Sequence, residues 1–315
     1  MSPSEPQFIY GAANLQPQTR GVVTIGAFDG IHLGHQAILR QAVERARALS
    51  LPATALILEP LPREYFHPDS APARLMPLRE KVGALIDCGI DRVVCLRFNA
   101  ALSALAPEDF VKKILVDGLA VQQIIVGDDF RFGSKRAGGK ALMAELAEIH
   151  GFDIIRPETV VADGERISST RIRKLLGEAN FPAVTALLGR PYSMTGRVCY
   201  GKQLGGKIGV PTANIALRRR RSPLLGAFAV KAKIAQQVFP GVANIGVRPT
   251  VNRIAKPQLE IHLFDFDQNL YGQRIAVDFC LKLRDEMKFD SVEQLQQQIH
   301  QDINQAKAHF TSAEL

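Results

Sequence analysis

The residues best suited to chemistry in this sequence are His32 and His35, set in the glycine-punctuated stretch Gly26-Ala27-Phe28-Asp29-Gly30-Ile31-His32-Leu33-Gly34-His35. At this spacing two imidazoles share one face of a helix start. The unpaired N–H groups and dipole of that helix end attract an anion, and the glycines let the backbone turn tightly against it. The chemistry indicated is phosphate chemistry. Nucleotidyl transfer requires charge stabilisation on the α-phosphate and on the departing pyrophosphate. A lone His-x-x-His pair reads more simply as helix caps or surface groups. A second anion site shifts that reading. In Arg166-Ile167-Ser168-Ser169-Thr170-Arg171-Ile172-Arg173, hydroxyls and arginines gather where Ser168 or Ser169 would cap a short helix running to about Gly177. Between them, in Gly127-Asp128-Asp129-Phe130-Arg131-Phe132-Gly133, Asp128 and Asp129 resemble a metal pair and equally suit a side-chain-capped turn.

The second half carries a different set. Gly201-Lys202-Gln203-Leu204-Gly205-Gly206-Lys207-Ile208-Gly209-Val210-Pro211-Thr212-Ala213-Asn214 is rich in glycine and lysine, as a phosphate-cradling loop would be, and equally as a flexible hairpin turn would be. It is not a Walker A loop, which needs Gly-Lys-Ser/Thr at fixed spacing. Thr212 and Asn214, two apart in an extended segment, face the same way, and their neutral oxygens suit magnesium shared with phosphate. In Gln258 to Phe266 the period is two: Leu259, Ile261 and Leu263 face one side, Glu260 and His262 the other. Glu260 could act as a general base on a hydroxyl, whereas His262 reads as structural. The run Arg218 to Arg221 reads as a solvated loop.

These residues need elements to hold them. Up to about residue 180, apolar runs (Val22 to Ile25, Ala53 to Leu58, Arg92 to Leu96, Gln123 to Val126, Phe152 to Ile155) alternate with helical patterns. The helices fall over Gln36 to Ser50, Leu78 to Cys88, Pro107 to Val116 and Gly139 to His150. That rhythm predicts a parallel sheet covered on both faces, with ligands beyond the C-terminal strand ends, where the histidine turn and the Gly127 loop fall. A short helix fits Asn180 to Leu188. After Gly189-Arg190-Pro191 the texture becomes strands without helices: Ser193 to Tyr200, Ala227 to Ile234, Val242 to Ile245, Gln258 to Phe264 and Ile275 to Leu283. This predicts an antiparallel barrel or sandwich, closed by a helix from Ser291 to about Phe310, with the boundary near 185.

Bulk properties fit one large or two ordinary soluble domains. The 315 residues are 46% hydrophobic and 22% charged, with a net charge of +8 that favours anionic partners. The four cysteines form no C-x-x-C pair, which argues against zinc and for free thiols in a reducing cytoplasm. No signal peptide or membrane-length apolar run is evident.

With these stretches assembled, the chain resembles the bacterial bifunctional riboflavin kinase/FMN adenylyltransferases over nearly its whole length. The first half matches through Thr24-Ile25-Gly26…Phe28-Asp29-Gly30…His32…Gly34-His35, Gly127 to Gly133 and Ile167-Ser168-Ser169-Thr170. The second matches through Gly209…Pro211-Thr212-Ala213-Asn214, Asn244-Ile245-Gly246…Arg248-Pro249-Thr250 and Glu260…His262…Asp265-Phe266…Leu270-Tyr271-Gly272. The resemblance implies a Rossmann-like nucleotidylyltransferase domain over 1–185 and a six-stranded Greek-key barrel with a terminal helix over 186–315. It also implies magnesium, riboflavin, FMN and ATP as ligands, FMN and FAD as products, and neither nucleic acid nor membrane as partner. Position by position, Gly26, Phe28, Asp29, Gly30, His32 and His35 would form the ATP site of the adenylyltransferase, with Ser168, Ser169, Thr170 and Arg173 on the phosphate chain. Gly127, Asp128, Asp129, Phe130 and Arg131 would lie near nucleotide and flavin phosphate. In the kinase half, Gly201, Lys207, Gly209, Pro211, Thr212 and Asn214 would bind ATP, Thr212 and Asn214 also magnesium. Glu260 would be the base on the ribityl 5′-hydroxyl, and Arg284 would lie near the flavin. Departures from the family pattern are Ala27, Leu61 and Phe228, the last lacking a tyrosine hydroxyl. A different nucleotidyltransferase does not account for the barrel half, and a basic nucleic-acid-binding protein would lack flavin turnover.

Overall fold

The computed structural model describes residues 5–15, 20–201, 209–217, 219–248 and 256–312. The chain forms two compact units: Met1–Ala71 with Leu78–Ser168, and Pro72–Pro77 with Ser169–Leu315.

The first unit is built on a parallel sheet of β1 (Gln7–Tyr10), β2 (Gly21–Ile25), β3 (Ala53–Glu59), β4 (Arg92–Arg97), β5 (Val121–Ile125) and β6 (Asp153–Ile155), in the order β1-β4-β3-β2-β5-β6. Val22, Val23, Leu56, Val94 and Ile124 are fully buried, as expected of strands covered on both faces. The helices are α1 (Leu33–Ala48), α2 (Pro62–Phe66), α3 (Leu78–Asp87), α4 (Ala100–Ser103), α5 (Pro107–Phe110) and α6 (Lys140–His150). The predicted helix over Pro107 to Val116 is α-helical only to Phe110, then widens into a π-helical turn over Val111–Val116. Strand order reverses at β2: β3 and β4 follow on one side, β5 and β6 on the other. A crevice opens at such a switch point. The two loops that leave it are the histidine turn after β2 and the Gly127 loop after β5. A small hairpin, β7 (Val161–Ala162) with β8 (Glu165–Arg166), precedes Ser168.

The second unit begins with α7 (Ser169–Gly177) and α8 (Phe181–Leu188). Its barrel comprises β9 (Ser193–Cys199), β10 (Ala213–Ala216), β11 (Gly226–Ile234), β12 (Gln237–Arg248), β13 (Lys256–Leu263) and β14 (Arg274–Arg284), closed in the order β10-β13-β12-β11-β14-β9 with antiparallel neighbours. Period-two alternation puts Leu259, Ile261 and Leu263 inside. Phe228 is fully buried and packs edge-on against Phe181 and Phe279, at 6.1 and 5.3 Å between centroids, so a phenyl ring fills this position by packing alone. The last helix, α9 (Val292–Ser312), lays Ala306 and Ile303 against Ala229, Val242 and Phe264. Ser291 caps it by accepting the Gln294 N–H at 3.2 Å, and the Gln294 side chain reaches back to the Asp290 N–H.

The arginine run departs from expectation. Arg220 and Arg221 are exposed, but Arg219 is buried. Its Nη1 donates to the Arg74 and Leu75 carbonyls and to the Tyr192 hydroxyl, at 3.0, 3.4 and 3.0 Å. Tyr192 donates to Leu75, and Arg173 Nε donates to the Ala73 carbonyl at 2.6 Å. These bonds hold Pro72–Pro77 in the second unit, although the segment lies between elements of the first.

Candidate functional site

The histidine turn is held in an uncommon backbone conformation. Phe28, Gly30 and Ile31 have φ of 45°, 87° and 41°. For Phe28 and Ile31 the left-handed region costs on the order of 1–3 kcal/mol each, a strain that concentrates at functional sites. Both side chains are buried. The turn ends at His32, the N-cap of α1, whose Nδ1 accepts the His35 N–H at 3.3 Å. That bond leaves the proton of the neutral ring on Nε2. The two imidazoles stack at 3.7 Å and 17°, and the Phe28 ring meets His35 edge-on at 5.3 Å.

Both histidines are kept neutral. Burial, then the Arg166 charge, lowers His32 to about 4, against an opposing pull from Asp29. Burial, then His32, Lys81 and Arg166, holds His35 well below the ordinary histidine range. His35 Nδ1 is sealed from solvent with no hydrogen-bond partner among the described residues. The arrangement therefore offers an anion neutral N–H donors, with the first-turn N–H groups of α1, rather than a pair of imidazolium charges.

The Gly127 loop does not keep its acids together. Asp128 pairs with Lys140 at 2.6 Å and accepts from Thr159 at 3.1 Å, while Asp129 pairs with Arg166. Lys140 and Thr159 hold the exposed Asp128 carboxyl below its usual range. Each acid thus tethers a separate element, so both positions show ion pairs where a metal pair or a side-chain-capped turn was expected. Phe130 and Phe132 stack at 5.6 Å. Ser168 closes the first unit; Ser169, Thr170 and Arg173 lie in α7 of the second.

In the barrel, Asn214 of β10 pairs in register with Glu260 of β13, and Glu260 pairs with Asn244 of β12. Asn214 is buried and its Oδ1 accepts from Gln258. Gly201 lies so close to the Asn214 amide that a Cβ there would overlap it. His262, expected to be structural, has its Nδ1 2.8 Å from the Pro211 carbonyl. Two cavities open here. One, of about 300 Å³, is lined by Glu260, Asn244, Arg284, Phe289 and Ile299. The other, of about 480 Å³, is lined by Val198, Pro211, Phe266, Leu270 and Tyr271. Thr212 lines both. Arg284 is fixed by Asp302 of α9, its Nε 3.1 and 3.0 Å from the two carboxylate oxygens, and lies 5.6 Å from the Phe289 ring centre. Gly209, Pro211, Thr212 and Asn214 are therefore brought to one end of the barrel beside Glu260, whereas Lys207 lies outside the described residues, as do Pro249 and Thr250.

Sequence reasoning missed Lys81, Asp302 and Gln258. The signal for Lys81 was a lysine four residues before Leu85 on the apolar stripe of α3. Among the described residues no cluster of three or more His, Cys, Asp or Glu could hold a metal, so a cation here would depend on neutral oxygens and on its substrate.

The chain matches two family models in series: FAD synthetase over residues 15–171 and riboflavin kinase over 188–310. It is 48% identical over 303 residues to the bifunctional riboflavin kinase/FMN adenylyltransferase of Pseudomonas fluorescens, covering 96% of this chain and 97% of that one. It is 44% identical to the enzymes of the same name from Haemophilus influenzae, over 97% and 100% of the two chains, and Escherichia coli K12, over 96% and 98%. A crystal structure described as a macrolide-efflux protein from Streptococcus pneumoniae superposes with a TM-score of 0.77 at 28% identity, over 95% and 97% of the two chains. No described helix of the present protein is long and apolar enough to cross a membrane.

Proposed function

From the premise that this chain belongs to the bifunctional riboflavin kinase/FMN adenylyltransferase family, phosphorylating riboflavin to FMN and adenylylating FMN to FAD, we propose how its residues divide the two reactions. The observation that carries the proposal is the contrast between the two sites: a neutral histidine pair, His32 buried and His35 half-buried, at a helix start, and a carboxylate lining one of two cavities that share Thr212.

In adenylyl transfer an FMN phosphate oxygen attacks the α-phosphorus of ATP, and the bond to pyrophosphate breaks. His32, through Nε2–H, and His35 donate to the phosphate oxygens as charge develops there, with the first-turn N–H groups of α1 beside them. Gly26, Phe28, Asp29 and Gly30 shape the backbone around the nucleotide. Ser168, Ser169, Thr170 and Arg173 hold the remaining phosphates, and the loop Gly127, Asp128, Asp129, Phe130 and Arg131 borders nucleotide and flavin phosphate. A neutral imidazole donates without trapping pyrophosphate as tightly as a buried cation would.

In the kinase reaction riboflavin takes the cavity with Glu260 and Arg284, and ATP the cavity with Pro211 and Tyr271; Gly201 and Gly209 are assigned to ATP binding with them, as is Lys207, which lies outside the described residues. The ribityl hydroxyl and the γ-phosphate then meet at Thr212. Glu260 takes the hydroxyl proton as the oxygen attacks the γ-phosphorus, and the bond from that phosphorus to ADP breaks so that ADP leaves. The oxygen-only donor set of Thr212 and Asn214 suits magnesium, which when bound withdraws charge from the γ-phosphate. We place the functional boundary near residue 185. We place both reactions in the cytoplasm, in keeping with four free cysteines.

The test is product analysis with riboflavin, ATP and magnesium. Glu260→Ala abolishes FMN formation while FAD formation from supplied FMN survives; His35→Ala stops at FMN. The opposite pattern in either variant overturns the assignment.

A further inference from the structure

Lys81 is a fully buried ammonium of the first unit. It lies on α3 at 0% exposure, on the stripe it shares with Leu85. A leucine or methionine would fill that stripe without the desolvation an ammonium incurs, and replacing buried charge by apolar bulk is often neutral or stabilising. Packing alone therefore does not account for a lysine.

Its position does. The Lys81 ammonium donates to the Ala27 carbonyl at 2.6 Å. That carbonyl belongs to the peptide that enters Phe28, where the backbone turns left-handed. The Phe28 ring abuts His35, and His35 stacks on His32. One buried side chain thus reaches both imidazoles through a short series of contacts, each within the first unit. We propose that Lys81 is a positioning residue for adenylyl transfer: its hydrogen bond to Ala27 fixes the strained Phe28–Ile31 turn, and with it the placement of His32 and His35. This rests on the assignment of the histidine pair to that reaction. The same ammonium, with Arg166, faces His35 as a positive charge and helps keep it neutral.

The experiment compares Lys81→Met and Lys81→Gln in the full chain, with FMN formation from riboflavin as internal control. In Lys81→Met, kcat for FAD formation from FMN falls at least about tenfold, the range expected when reacting groups shift by less than an ångström or so. The KM for ATP and the kinase rate change less than about threefold, and the first unit still melts cooperatively, at a midpoint lowered no more than one carbonyl left without its donor requires. Lys81→Gln, which still donates an N–H to Ala27, recovers part of kcat. In both variants the acid limb of the FAD-forming pH profile moves to higher pH, because His35 loses a positive neighbour, which a purely structural role would not produce. Wild-type kcat with an unmoved acid limb overturns the inference. So does loss of the first unit's fold in both variants, which would assign Lys81 to stability alone. If His35→Ala retained FAD formation, the reading of the site itself would fail, independently of Lys81.

Discussion

Acidification should weaken the adenylyltransferase unit selectively, and His32 sets the size of the effect. Its folded pKa is about 4 against an ordinary value of 6.5. Above pH 6.5 both folded and unfolded states carry the neutral ring, and the group contributes nothing to the pH dependence. Below it the unfolded chain binds the proton first, so stability falls as pH drops and the loss is complete below the folded value. The full difference corresponds to about 3.4 kcal/mol, of which about 2 kcal/mol has gone by pH 5. For a unit of this size that lowers the melting temperature by about 4–8 °C between pH 7 and 5. His35, also depressed, adds in the same direction. The comparison is with His32→Asn, which can keep the N-cap acceptor for the His35 N–H but does not titrate. Limited proteolysis after a heat challenge, with the surviving fragments identified by mass, reports this unit and the other separately and does not depend on the activity that His32→Asn impairs. The wild-type midpoint should drop between pH 7 and 5 by about 4–8 °C more than that of His32→Asn. Equal drops would refute the claim that burial keeps this imidazole neutral.

Two further predictions concern the barrel unit. Asp302→Ala leaves the Arg284 guanidinium, whose side chain is 15% exposed, without the carboxylate that fixes it. Removing one partner of such a pair costs about 3–5 kcal/mol, so the kinase transition should drop in a urea melt while the KM for riboflavin rises and FAD formation from FMN is unchanged. Arg219→Met leaves the Arg74 and Leu75 carbonyls without this donor, at about 1–3 kcal/mol for each group left unsatisfied. A change below about 0.5 kcal/mol, the scale of ordinary surface substitutions, would show that the solvated-loop reading of the arginine run was adequate after all.

What was legible in the sequence was what local chemistry encodes. Glycines and histidines between an apolar run and an amphipathic stripe announced the turn after β2, and period-two alternation announced β13. Elements without such a signature were missed. β1 has four residues, three of them exposed, and exists because Gln7–Tyr10 pairs in parallel with β4, far along the chain. β10 is as short and takes its register from β9 and β13. No local feature of Pro72–Pro77 announced that Arg173, Tyr192 and Arg219 would bind it into the other unit. Within the sites, types that do chemistry stood out where they broke a pattern of glycine or alternation. Lys81 did not, because lysine on a helix is ordinarily read as solvent-facing, and only its buried stripe position distinguishes it.

The two sites solve opposite electrostatic problems. Adenylyl transfer develops charge on phosphates already anionic, and under the proposed assignment the first unit meets it with donors kept neutral by burial and by the Lys81 and Arg166 charges. That arrangement is costly locally: left-handed φ at Phe28 and Ile31 and a depressed imidazole pair share one turn, and a desolvated ammonium reaches it from α3. Phosphorylation of a hydroxyl needs a base that can take a proton and release it again. The barrel presents Glu260 half-buried beside a cavity mouth rather than sealed in the core. The first site should therefore answer to pH and to second-neighbour charges through stability as well as rate, whereas the carboxylate proposed for the second serves the reaction rather than the fold. Glu260→Gln should accordingly abolish FMN formation with little change in melting temperature. A large loss of stability in that variant would show that the carboxylate is part of the barrel's structure.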